Sequence, residues 1–116
     1  MKIGALKESY EGEARVAITP ASAAHLRKLG HEVYVESGAG VRAGFPDAAY
    51  ASAGITVEPT SSALVNDVDV VVKVRPPSEA EIKQMRHGQT LISHFYPAQN
   101  AELLETAREQ GITAIA

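Results

Sequence analysis

Val68-Asp69-Val70-Val71-Val72-Lys73-Val74 is the most apolar run in the chain. Its inner residues do not alternate between apolar and polar. A strand without alternation is buried on both faces, which predicts a central strand of a parallel sheet. Lys73 lies at its carboxyl end, just before Arg75-Pro76-Pro77. Burying an unpaired ammonium costs several kcal/mol, on the order of 3–5. Two readings stand. Lys73 snorkels to water, or it faces a cleft and meets an anionic ligand.

Beyond this run, Ser78 to Arg86 reads as a helix opened by a Ser78/Glu81 capping box. Gly88 turns the chain into Thr90 to His94, a second buried strand, and Phe95 to Gln99 follows as a loop. Asn100 caps a helix through Gln110, with Leu103, Leu104 and Ala107 as its inner stripe and Gly111 as its stop. Ile112 to Ala116 opens one more apolar strand. An apolar strand with no covering helix after it reads as the first piece of a longer polypeptide.

Before the run, a strand from Lys2 to Leu6 enters a charged loop, Lys7-Glu8-Ser9-Tyr10-Glu11-Gly12-Glu13-Ala14-Arg15-Val16-Ala17-Ile18-Thr19. Thr19 can cap a helix starting at Pro20, where proline's missing N–H costs nothing. That helix reaches Leu29, with Ala23, Leu26 and Leu29 on one stripe and Gly30 as its stop. His31 to Glu36 alternates as a strand. Asp47 to Ala53 reads as a short helix capped by Asp47, and Ile55 to Glu58 as a short peripheral strand. Thr60 to Asn66 is a helix or turn.

The glycines at 38, 40 and 44 follow a strand, as a dinucleotide fingerprint does. Their spacing, G-x-G-x-x-x-G, is one residue too long, and Pro46-Asp47 restarts the chain before any helix. A glycine-rich turn is the better reading.

Strands and helices alternate throughout. The fold class is α/β: a three-layer, flavodoxin-like open parallel sheet with helices on both faces. All strands then end at one edge, where ligands of such sheets bind. Arg15, Lys73, His94 and Tyr96 should converge there. Arg15 can grip a carboxylate in a bidentate fork, or simply pair with Glu8, Glu11 or Glu13. Lys73 can polarise a carbonyl oxygen. His94 can move a proton near neutral pH, or be a core histidine bonded to backbone groups. His25, His31 and His87 read as solvated surface. No histidine pair has metal-ligand spacing, so no metal is expected.

The chain has 116 residues, 45% hydrophobic, with a net charge of -3 and no cysteine. That is one domain with a real core. Without a basic block, a nucleic-acid partner is not expected. Disulfides and thiolate metal sites are excluded. No apolar run approaches the roughly 20 residues of a membrane-spanning helix, so this part reads as soluble.

Several stretches resemble one family. They are Met1-Lys2-Ile3-Gly4 with Lys7-Glu8, Glu13-Ala14-Arg15-Val16-Ala17, Thr19-Pro20, Val35-Glu36-Ser37-Gly38-Ala39-Gly40 and Val72-Lys73-Val74. The chain is similar over essentially its whole length to the N-terminal domain shared by alanine dehydrogenases and the α subunit of proton-translocating nicotinamide nucleotide transhydrogenase. Pro97-Ala98-Gln99-Asn100 resembles the transhydrogenase branch. Alanine dehydrogenases carry a proton-donating histidine at the position of Tyr96, where transhydrogenases have an aromatic residue. His94 stands two residues earlier, on the same face of a strand. In alanine dehydrogenases the residues matching Arg15 and Lys73 hold the oxo acid.

The resemblance implies that residues 1–116 are the first lobe of a longer two-lobed oxidoreductase, with a Rossmann lobe for NAD(H) after Ala116 and no cofactor on this piece alone. It implies a parent that passes hydride between NAD(H) and NADP(H). That parent would be a homodimer with an NADP-binding domain and a membrane-embedded, proton-translocating partner. It would lie on the cytoplasmic side, peripheral to the inner membrane. It assigns no catalytic residue here with certainty. Two alternatives are an alanine dehydrogenase type of enzyme, with Arg15 and Lys73 on pyruvate, and a non-catalytic assembly domain.

Overall fold

Among the described residues, five helices and six strands alternate, and every strand pair is parallel. The computed structural model describes residues 1–94 and 101–115. The strands are β1 (Lys2–Ala5), β2 (Glu32–Glu36), β3 (Thr56–Glu58), β4 (Val70–Val72), β5 (Thr90–Ile92) and β6 (Thr113–Ile115). The helices are α1 (Pro20–Lys28), α2 (Asp47–Ser52), α3 (Ser61–Asp67), α4 (Glu79–Gln84) and α5 (Ala101–Gln110), with a 3-10 turn at Val41–Ala43.

The sheet order is β3-β2-β1-β4-β5-β6. It is an open, all-parallel, three-layer α/β fold with helices on both faces, as expected from the alternation. Without β3, the strand already read as peripheral, the order is that of flavodoxin. With it, the order is the doubly wound one of dinucleotide enzymes.

Each face has its own core. Ala23 of α1 and Tyr50 of α2 pack with Ala5, Val33 and Val35 on one face. Leu64 and Val65 of α3, Ile82 of α4 and Ala107 of α5 pack with Leu6, Val71 and Leu91 on the other. Right-handed crossovers require this segregation. Moves from β1 towards β3 put helices on one face, and moves towards β6 put them on the other. Tyr50 is fully buried, and its hydroxyl donates to the Ile18 carbonyl at 2.7 Å. Burial raises its pKa, and nearby Asp47 adds to the rise.

The local signals place the helix starts. Thr19 caps α1, Thr60 caps α3, and Ser78 with Glu81 forms the capping box of α4. Asp47 behaves differently from expectation. Pro46 is the N-cap of α2, and the Asp47 carboxylate reaches back to accept from Ser37 Oγ at 2.6 Å and Gly38 N at 2.8 Å. These bonds hold its pKa below the usual carboxylate value, Ser37 contributing most. The expected loop at Phe95–Gln99, the Asn100 cap and Tyr96 lie outside the described residues.

The glycine stretch is a packed turn. An added Cβ on Gly40 would stand 2.7 Å from the Phe45 carbonyl oxygen and 2.8 Å from the Tyr50 ring. Glycine is there to let a buried aromatic approach the backbone.

Candidate functional site: a charged crevice at the switch point

The winding reverses between β1 and β4. In open parallel sheets that reversal opens a crevice at the carboxyl edge, where the two following loops part. Residues 7–19 leave β1 there, and Lys73 to Pro77 leave β4 beside them. Both loops are heavily charged.

Glu8 and Lys73 close the base of the crevice. Lys73 Nζ lies 3.1 Å from Glu8 Oε1 and 3.5 Å from Glu81 Oε2. The side chains of Lys73 and Glu8 are only 1% and 2% exposed. Glu8 also accepts from Val74 N at 2.9 Å and from Arg75 N at 3.1 Å. This explains why the apolar run ends as a strand sooner than its composition suggests. Lys73 N still bonds the Ile92 carbonyl of β5, but the next two N–H groups turn to Glu8. Lys73 therefore neither snorkels to water nor waits for a ligand to neutralise it. Two carboxylates of its own chain do so, and both remain bonded in a low-dielectric site.

Glu13 organises the rim. Its Oε2 accepts from Arg15 N at 2.8 Å and Arg15 Nε at 2.9 Å, and its Oε1 accepts from Arg15 Nη2 at 2.8 Å. Oε1 also accepts from Arg75 Nε at 2.9 Å. Hydrogen bonds from Arg15, then from Arg75, hold the Glu13 carboxyl far below the usual carboxylate range. Arg75 stacks over the Tyr10 ring, 4.3 Å from its centroid. Arg42 Nη1 reaches the Glu13 carbonyl at 3.4 Å. Two guanidinium groups thus hold one carboxylate while a third reaches the same residue's carbonyl, and Arg15 keeps 63% of its side chain exposed.

Arg15 and Lys73 stand at the same edge. The chain of bonds between them runs Arg15–Glu13–Arg75, then through the Arg75 N–H to Glu8 and on to Lys73. His94 follows β5 at that edge, exposed, its N–H directed at the Val74 carbonyl at 3.4 Å. Of the carboxylates read as possible partners of Arg15, Glu13 is the one that pairs with it; the tie of Glu8 to Lys73, and the parts of Glu81 and Arg75, were not singled out by the spacing. The signal for Glu8 was available: a lysine closing a buried strand needs a carboxylate, and Glu8 leaves the neighbouring strand.

These residues do not fit the pyrophosphate of a dinucleotide. The β1–α1 turn carries three carboxylates where a fingerprint has glycines, and the first turn of α1 is closed by Thr19 and Ser22. A shallow hollow beside Arg27, His31 and Glu32 opens at the amino ends of β2 and β3, away from the crevice. His31 there is half-buried, with Nδ1 unbonded, rather than the solvated residue expected. Among the described residues, no cluster of acidic or histidine side chains could hold a metal, and no helix is long and apolar enough to cross a membrane.

Sheet order and crevice together define a doubly wound α/β domain of the kind from which nucleotide-dependent oxidoreductases are assembled. Within that class the family is clear: residues 4–116 match the family "Alanine dehydrogenase/PNT, N-terminal domain", and the chain belongs to it. It is 60% identical over its whole length to the NAD(P) transhydrogenase subunit alpha of Cereibacter sphaeroides, covering 22% of that subunit. It is 36% identical to the alanine dehydrogenase of Mycobacterium tuberculosis, covering 31% of it. A transhydrogenase structure from Sinorhizobium meliloti superimposes with a TM-score of 0.95 at 36% identity, over all of this chain and 34% of that one. The chain thus spans between about a fifth and a third of these relatives. The 60% identity sets it on the transhydrogenase side of the family.

Proposed function

We propose that this chain is the N-terminal part of the α subunit of a proton-translocating NAD(P) transhydrogenase. Identity of 60% along the whole chain to one such subunit carries the reading. In it, a lobe after Ala116 binds NAD(H), and the parent passes hydride between NAD(H) and NADP bound on a separate domain. A membrane-embedded partner couples this to proton movement, and the subunit acts as a homodimer. Residues 1–116 supply the opposing wall of the cleft.

The geometry supports a wall rather than a catalytic centre. Lys73 is satisfied by Glu8 and Glu81, so its ammonium has little left to offer a substrate carbonyl. Glu8 and Glu13, whose side chains are 2% and 3% exposed, fix the β1–α1 loop onto the segment that leaves β4. Arg15 and Arg75 are thereby held at the lip, positively charged and pre-oriented.

An alanine dehydrogenase type of activity is the second reading. The exposed Arg15 at the lip of the crevice favours it, since a guanidinium there can hold the carboxylate of an oxo acid. One experiment separates the two. The full-length protein is assayed for NADH-dependent reduction of an NADP analogue, and for NADH oxidation dependent on pyruvate and ammonium. The first activity without the second is expected. Pyruvate-dependent turnover that Arg15→Ala abolishes would establish the dehydrogenase instead. Calorimetry of residues 1–116 with NADH is a second check, and micromolar binding would contradict a nucleotide site placed after Ala116.

A further inference from the structure

At the amino ends of β2 and β3, a hollow of about 310 Å³ is lined by Arg27, His31, Glu32, Tyr34, Gly54 and Thr56. Arg27 stands in the last turn of α1 and reaches the end of α2, where its Nη1 donates to the Ala53 carbonyl at 2.8 Å. Its guanidinium is seated against Gly54: an added Cβ there would stand 2.7 Å from Arg27 Cζ. Gly54 also has a φ of 80°, so glycine serves both the turn and the seat. His31 is half-buried, and its Nδ1 is sealed from solvent without a hydrogen-bond partner. Glu32 is exposed and faces the same hollow. Among the described residues, neither Arg27 nor Glu32 takes part in an ion pair, although the two charges line one space. Tyr34 and Thr56 are cross-strand partners and share a face of the sheet.

These groups specify a ligand by complement. The anchored guanidinium needs an anion. The carboxylate and the lone pair of a neutral imidazole need a hydrogen-bond donor. A plain oxyanion would meet repulsion from Glu32, and a lone amine or metal ion would meet it from Arg27. We propose that this hollow binds a small zwitterion of the amino-acid type, with its carboxylate on Arg27 and its ammonium towards Glu32 and His31 Nδ1. The planar fork of an arginine suits a carboxylate, and Arg27 is already oriented by Ala53 and Gly54. The volume sits at the low end of small-molecule pockets, roughly 300–1,000 Å³, which leaves room for a short side chain beside Tyr34 and Thr56. The hollow opens at the sheet edge opposite the crevice, so its occupant is not a substrate of the crevice. Once bound, it ties the turn after α1 to the end of α2.

Calorimetry of the full-length protein with glycine tests this. The expected result is a site with an affinity in the millimolar range, the scale open to a ligand of few atoms in an open hollow. Acetate and methylammonium each carry one of the two charges, and each should bind at least about tenfold more weakly than glycine. Glycine should lose at least about tenfold in affinity with Arg27→Gln and with Glu32→Gln, and should still bind with Arg15→Ala. Acetate or inorganic phosphate binding as tightly as glycine would make the hollow a plain anion site and overturn the proposal. Glycine binding that is lost with Arg15→Ala but kept with Arg27→Gln would place the ligand in the crevice and overturn it too. The absence of binding up to roughly 50 mM glycine would do the same. Should Arg27→Gln fail to fold, Glu32→Gln keeps the test open, because among the described residues the Glu32 carboxylate holds no partner. None of these outcomes turns on which oxidoreductase the parent is.

Discussion

Glu8 and Lys73 leave different strands 65 positions apart and meet with 3.1 Å between Oε1 and Nζ, almost sealed from solvent. The pair fastens β1 to β4 where the sheet reverses its winding. Its two members are not equivalent. Without Glu8, Lys73 keeps only the longer contact to Glu81, and two backbone N–H groups lose their acceptor. Without Lys73, Glu8 keeps those two N–H donors. Urea unfolding should therefore show Glu8→Leu losing about 3–5 kcal/mol, the cost of stranding a buried charge, and Lys73→Met clearly less. The double variant should be more stable than Glu8→Leu alone. Equal losses for the two single variants would show that the backbone bonds to Glu8 carry no weight.

Glu13 sets an acid limit on stability. Bonds from Arg15 first, and then from Arg75, depress its pKa in the folded state below the reference of 4.5. A carboxyl whose folded pKa is depressed stabilises the fold above its unfolded pKa and loses that contribution as pH falls towards the folded value. Glu13→Gln should thus cost stability at pH 7, and the gap to the unaltered chain should narrow steadily below about pH 4.5. Denaturant titrations between pH 7 and pH 2.5 would show it. A gap that stays constant through this window would mean that Glu13 acts by shape rather than charge.

Gly40 and Gly44 should respond differently to alanine. At Gly40 the new methyl meets the Phe45 carbonyl and the buried Tyr50 ring, neither of which can swing away. A cost of about 1–3 kcal/mol is expected from such overpacking, with loss of the Tyr50–Ile18 hydrogen bond. Gly44 has open space around it but a φ of 89°, so alanine there should cost roughly 1 kcal/mol through backbone strain alone. Thermal melts of both variants, with tyrosine near-UV circular dichroism to follow the Tyr50 environment, separate the two. A Gly40→Ala variant with an unchanged tyrosine signal would refute the packing account.

Arg15 should matter to folding although its side chain is 63% exposed, because its partner Glu13 is only 3% exposed. Arg15→Ala takes two side-chain bonds from that nearly buried carboxylate, and Arg75→Ala takes one together with the Tyr10 stack. Both variants should unfold at lower urea than the unaltered chain at pH 7, and the loss should shrink as the pH falls below the ordinary carboxylate range. An Arg15→Ala variant as stable as the unaltered chain at pH 7 would show that Arg75 alone satisfies Glu13.

The sequence alone determined the layered parallel sheet, the helix starts at Thr19 and Ser78, and the edge of the sheet to which Arg15 and Lys73 belong. Those features rest on local chemistry and on periodicity, which neighbouring residues carry between them. Only the tertiary structure decided how that rim is wired. Lys73 spends its charge on Glu8 and Glu81, Glu13 collects guanidinium groups from two loops, and Asp47 holds Ser37 and Gly38 rather than its own helix. The physical reason is that an ion pair depends on distance in space. Glu8 and Lys73 become neighbours only when parallel winding lays β1 against β4, and nothing within either segment encodes which partner the other will supply.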